Sequence, residues 1–99
     1  MNIQAMMKQA KALQNDMMKM KDEIDKMEFV GTSSLVKVTV NGEKRVLKVE
    51  INKDNELCAD DIEMLEDMIT IAINDAIKQV DDITEKKMGK FGNSIPGLF

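Results

Sequence analysis

Apolar residues at the start of the chain recur at alternating spacings of three and four: Ile3, Met6, Ala10, Leu13, Met17, Met20, Ile24 and Met27. Four heptads with both seam positions apolar are the mark of a helix whose narrow stripe meets another helix. The pattern predicts helix over residues 3–27, about 39 Å long at roughly 1.5 Å per residue. Asn2 is its candidate N-cap, and the Met, Lys, Gln, Ala and Leu that fill it are good helix formers.

In "LVKVTVNGEKRVLKVEI" the period changes to two. Val36, Val38 and Val40 alternate with Lys37 and Thr39, and Leu47, Val49 and Ile51 form a second set on one face. Asn41-Gly42 between them is a hairpin signal, because both residues tolerate the positive φ of a two-residue type I′ turn. That turn sets Val36 opposite Leu47 and gathers Lys37, Lys44 and Lys48 on the opposite face. The stretch "EFVGTSS" before it reads as a short additional strand. From Ile62 the helical spacing returns through Leu65, Ile69, Ala72, Ala76, Val80 and Ile83. Asp60 and Glu63 form a candidate capping box, and the helix is expected to run to about residue 87. Within it "MITIAI", residues 68–73, is apolar nearly all round and should be buried on more than one side. Gly89 and Gly92 punctuate its end.

The fold class that follows is α+β: a long N-terminal helix, an antiparallel three-stranded sheet and a long C-terminal helix. Residues 1–88 make a single domain with residues 1–27 as a helical arm, and residues 89–99 are expected to form a flexible tail. A three-stranded sheet has one face with which to cover the second helix. The seam of the first helix then has two solutions, a second copy of the chain or a fold back onto the chain's own second helix.

Composition narrows the chemistry. With no histidine and one cysteine, Cys58, the common transition-metal sites are effectively excluded and no internal disulfide can form. No apolar run approaches the roughly 18 residues that span a bilayer, and a cytoplasmic location is expected. Ten methionines and only three aromatics point to an adaptable seam or to ordinary core filling. No carboxylate has a histidine or nucleophile as companion, so neither catalysis nor a small-molecule substrate or cofactor is expected.

The net charge of −4 hides a segregated distribution. Residues 1–21 carry Lys8, Lys11, Lys19 and Lys21 against Asp16, and residues 29–53 carry Lys37, Lys44, Arg45, Lys48 and Lys53 against Glu43 and Glu50. Each segment is +3, whereas residues 60–85 hold nine acids and Lys78, a net −8. On a helical projection Lys8, Lys11, Lys19 and Lys26 fall opposite the apolar seam, interrupted only by Asp22. Two readings of that stripe stand: phosphate contact, or a solvated helix face. The hairpin lysines carry the same pair of readings, with protection of a sheet edge as the plain one.

The segments "MMKQAKALQNDMMKMKDEI", "LVKVTVNG", "DIEMLEDMITIAINDA" and "IPGLF", taken in order, resemble the YbaB/EbfC family of bacterial nucleoid-associated proteins over essentially the whole chain. The resemblance implies a tight, intertwined homodimer of α-β-β-β-α subunits with projecting helical arms. It also implies sequence-tolerant binding to double-stranded DNA in the nucleoid. Two departures bear on mechanism: a glycine-rich connection is replaced by Gly31-Thr32-Ser33-Ser34, and Arg45 is the sole arginine, so contacts must rest on lysines. The expected DNA-binding residues are Lys8, Lys11, Lys19, Lys26, Lys37, Lys44 and Lys48. Met68, Ile69, Ile71, Ala72, Ile73 and Ala76 are the expected dimer interface. The alternative is a protein-interaction module whose methionine-rich arms grip a partner protein.

Overall fold

The structure, a computed structural model, describes residues 2–54 and 56–92. Helix α1 (Ile3–Asp25) is followed by strands β1 (Glu28–Ser33), β2 (Val36–Asn41) and β3 (Val46–Ile51), a 3₁₀ turn (Ala59–Asp61) and helix α2 (Ile62–Gly92). The strands form one antiparallel sheet in the order β1-β2-β3. The α+β architecture read from the pattern is therefore the one observed. The molecule measures 72 × 20 × 14 Å, because α1 projects from the two-layer head rather than folding over it.

The core lies between the sheet and α2. Phe29, Val36, Val38 and Val40 point inward from β1 and β2 and meet Ala72, Ala76 and Val80 of α2. Alternation on the strands and the three-four spacing on the helix both terminate in this layer. Helix and sheet meet at Gly31, where a Cβ would collide with the Ala72 carbonyl and lie 2.6 Å from Ala76 N. Glycine on the strand and alanines one helical turn apart are thus one feature: only these small residues allow so close an approach. Beside this contact, Asp75 Oδ2 accepts the Thr32 N–H at 3.2 Å and Gln79 Nε2 donates to the Val30 carbonyl at 2.7 Å. Side chains of α2 thereby satisfy outward backbone groups of β1.

The hairpin differs from the expected two-residue turn. Asn41 and Arg45 form its last pair, and Gly42, Glu43 and Lys44 make a three-residue loop with Lys44 at φ 64°. Asn41 Oδ1 accepts from Glu43 N at 2.9 Å and Arg45 N at 3.0 Å. The asparagine acts as the first residue of an Asx turn, not as a left-handed central residue. Lys44 then takes the left-handed position that closes such loops. Val36 therefore pairs with Ile51, not Leu47, and Leu47 is passed over at the irregularity between Thr39 and Val40. The shift of four positions is even, so Val49 and Ile51 keep the inward face expected of them. The β1–β2 connection is the two-residue turn Ser34-Leu35, with Ser34 at φ 48° in place of the glycine such positions favour.

Both ends of α2 also depart from expectation. The start is organised two residues earlier than the Asp60–Glu63 box: Asp61 Oδ2 accepts the Cys58 N–H at 2.9 Å and the Cys58 thiol at 3.3 Å. The other end is Gly92, beyond residue 87, so the expected tail begins no earlier than Asn93; residues 93–99 lie outside the described residues. Asn2 caps α1 as expected, its Oδ1 accepting from Gln4 N at 3.1 Å and Ala5 N at 3.3 Å.

Two measurements check this packing. Gly31→Val should lower unfolding free energy by about 1–3 kcal/mol through overpacking against α2, read by urea denaturation; unchanged stability would mean that strand and helix are not in contact. The second concerns Asp61. The Cys58 N–H, and secondarily its thiol, hold the Asp61 carboxyl below its ordinary value of 3.8. Stability from this cap is present above that value and lost as pH falls through the lower folded-state value. The stability gap between the native chain and Asp61→Asn should accordingly narrow on acidification below pH 3.8, followed by thermal melts across pH.

Candidate nucleic-acid interface

The arm is held at its base by three contacts. Gly42 of the hairpin loop donates its N–H to the Met27 carbonyl at 3.1 Å. A Cβ on Gly42 would collide with the Ile24 carbonyl and lie 2.9 Å from the Asp25 Cα. The glycine read as a turn former is needed here because the loop lies against the end of α1. Ile24, almost fully buried, packs with Met88 of α2, and Leu13, Met17 and Met20 pack against that pair. Part of the seam thus folds back onto the chain's own second helix, one of the two solutions left open by the pattern. Around this joint lies a cavity of about 380 Å³ lined by Lys21, Ile24, Lys44, Val80, Asp81 and Met88, among others.

Farther out the seam is uncovered. Ile3 is 69% exposed and Met6 52%, and Ala10 is exposed as well. On the far side of the helix Lys8, Lys11, Lys19 and Lys26 are all exposed. Among the described residues none of these four takes part in a salt bridge, whereas Lys21 pairs with Asp25 at 3.2 Å. Four unpaired ammonium groups along one stripe leave a local positive potential on a protein whose average charge is negative.

The hairpin lysines are not gathered as expected. Lys37 and Lys48 lie on the outer sheet face, opposite Glu50 and Thr39 respectively, and Lys48 pairs with Glu50 at 3.4 Å. Lys44 turns the other way and reaches Asp81 of α2 at 2.6 Å. The reason is the three-residue loop, which carries Lys44 out of the strand register and toward the helix. Of the acids on α2, Glu63, Glu66, Asp67, Asp82 and Glu85 are exposed, while Asp75 is half-buried against β1.

The residues expected at a dimer interface divide as well. Ala72 and Ala76 are fully buried inside the subunit against the sheet, so they offer no surface to a second chain. Met68, Ile69 and Ile73 pack against the same core and remain half-buried, whereas Ile71 is 56% exposed. The open apolar surface that the pattern did not reveal is β3. Helix α2 packs chiefly on β1 and β2, leaving Val46 and Val49 each 43% exposed and Leu47 beside them. The edge contacts of Asp75 and Gln79 and the joint residue Met88 were likewise missed. The i, i+4 spacing of Asp75 and Gln79 beside Ala72 and Ala76 is the signal that could have found them.

Comparison with known proteins fits this geometry. A family model described as the YbaB/EbfC DNA-binding family matches residues 1–95. A nucleoid-associated protein of Lactococcus lactis subsp. cremoris is 43% identical over 98 residues, covering 97% of this chain and 98% of the relative. One from Streptococcus uberis is likewise 43% identical, with the same coverage. A crystal structure of an uncharacterized protein from Helicobacter pylori superposes with a TM-score of 0.75 at 15% identity, covering 92% of this chain and 97% of that one, a likeness of fold.

Proposed function

The chain belongs to the YbaB/EbfC DNA-binding family, and on that premise we propose that it is a non-catalytic nucleoid-associated protein that binds double-stranded DNA as a homodimer. Binding takes place in the bacterial cytoplasm, at the nucleoid, through lysine–phosphate contacts with little sequence preference. The observation that supports this most directly is the unpaired lysine stripe on a projecting arm. Lys8 and Lys26 are 18 positions apart, about 27 Å along the helix, a little less than one turn of duplex at about 34 Å. Ammonium groups supply charge without the planar fork that reads guanine edges, so they position a duplex without selecting a sequence. Lys37, on the outer sheet face, is a secondary contact; Lys44 and Lys48 must first leave Asp81 and Glu50.

Dimerisation is read from β3. One edge of the sheet is engaged by Asp75 and Gln79; the other is β3, where Val46, Leu47 and Val49 are exposed among the described residues. A second copy that covers this strand, together with Ile71 and the flanks of Met68, Ile69 and Ile73, removes an edge that otherwise invites aggregation. A second reading is favoured by the exposed Ile3 and Met6: an interaction module that grips a partner protein between its arms.

Two experiments test these readings. Binding to a random duplex across a salt series should weaken steeply, and Lys8→Gln/Lys11→Gln/Lys19→Gln should flatten the logarithmic slope by about 0.9 for each lysine that touches phosphate. An unchanged slope rejects the arm as the contact, and absence of binding at low salt favours the second reading. Val49→Glu should shift the chain to monomers in sedimentation equilibrium while its helical signal persists; an unaltered dimer would place the interface elsewhere.

A further inference from the structure

One three-residue pattern occurs twice in the arm: Met6-Met7-Lys8 and Met17-Met18-Lys19, 11 positions apart. Eleven residues are close to three full turns, so the two copies face within about 20° of each other and lie about 16 Å apart. In each copy the first methionine takes a seam position and the lysine joins the exposed stripe. The middle methionine belongs to neither. Met7 is 66% exposed and Met18 62%, and both project at the margin of the stripe, within about 40° of Lys11. The sole acid of residues 1–21, Asp16, projects to the opposite side of the helix from them. Met7 also borders a shallow recess with Lys8, Ala10, Lys11 and Gln14. Single exposed apolar residues are ordinary on a protein surface; repetition on one face, among unpaired ammonium groups, singles these two out. The combination suits a polyanion that also offers apolar groups.

We propose that Met7 and Met18 contact thymine C5-methyl groups when the arm lies in the major groove of a duplex, an inference that rests on the DNA-binding reading above. Phosphates attract the lysines. The thymine methyl is the apolar group among the base edges, and only the major groove displays it. That groove, about 12 Å wide, admits an α-helix about 10–12 Å across with its side chains, whereas the minor groove at about 6 Å does not. The interval between the methionines spans about five base-pair steps at roughly 3.4 Å each, within reach of one helix laid in one groove. On the other side of the arm Leu13, Met17 and Met20 pack toward the Ile24–Met88 joint. The face with Met7 and Met18 is left free, as a base-reading helix is by the helix behind it. Methionine's flexible side chain can find a methyl at different base positions, so the contact gives a mild preference for thymine and no fixed site. Lysine sets affinity and its dependence on salt; methionine adds a contribution independent of charge.

The test compares binding of the full chain to two duplexes of equal length, alternating A·T and alternating A·U. They differ only by the C5-methyl and share charge and minor-groove pattern. The native chain should bind the uracil duplex more weakly by about fourfold for each methionine seated on a methyl, the worth of one buried methyl group, with the same salt slope on both. Met7→Gln/Met18→Gln keeps helix propensity and net charge. It should weaken binding to the thymine duplex, leave the salt slope unchanged and abolish the difference between duplexes. Lys8→Gln/Lys11→Gln/Lys19→Gln should do the converse, flattening the slope while the preference for thymine remains. Two results would overturn the proposal: equal affinity of the native chain for both duplexes, or a thymine preference that survives in the methionine variant. Either leaves the DNA-binding reading standing so long as the salt slope is steep, whereas no binding to either duplex at low salt would overturn both.

Discussion

Everything in this molecule is hung from the contact of α2 with β1 at Gly31. The two backbones come so close that no side chain fits between them, and Ala72 and Ala76 supply the matching flat surface. This contact sets the height of the helix over the sheet, which in turn decides that valines from β2 and Phe29 suffice to fill the layer. It also brings Asp75 and Gln79 within reach of β1's outward backbone groups. A core of so few large side chains is thin for a chain of this length. Its stability depends on close packing more than on buried area, the regime in which small changes of volume are felt strongly.

The same placement makes the two sheet edges unlike. Helix α2 lies over β1 and β2, engages the β1 edge with polar side chains, and leaves the valines of edge strand β3 exposed. Asymmetry of this kind gives a small subunit one direction in which to associate. It does so without a special sequence motif, simply by where the helix sits.

The arm is a separate mechanical problem, met at Gly42. The loop abuts the carbonyl of Ile24, and Ile24 and Met88 close the space between the helices. These contacts fix the base of a long helix against the C-terminal part of α2. Lys21 and Lys44 beside the joint are taken up in pairs with Asp25 and Asp81, whereas among the described residues Lys8, Lys11, Lys19 and Lys26 form no salt bridge.

Much was legible in the chain by itself. Periodicity of 3.5 and of 2 located both helices and the strands, since each pattern records which side of an element is dry. Asn2 and the Asn41-Gly42 loop were legible as local chemistry, and "LVKVTVNG" with "DIEMLEDMITIAINDA" carried the family. What remained hidden were facts that depend on two distant segments at once. The hairpin register turned on whether Asn41 or Lys44 would take the left-handed position, and that choice is coupled to Gly42 pressing on α1. Lys44 left the lysine cluster for Asp81 for the same reason. Ala72 and Ala76 looked like candidates for an interface between chains and proved to be the subunit's own floor, because a sequence shows which residues must be buried but not against what. The open edge of β3 is likewise a property of coverage, decided only when α2 chose which strands to lie on. Local sequence determined the elements and the side of each that turns from water; the tertiary structure decided their partners, because close approach and leftover surface exist only between elements.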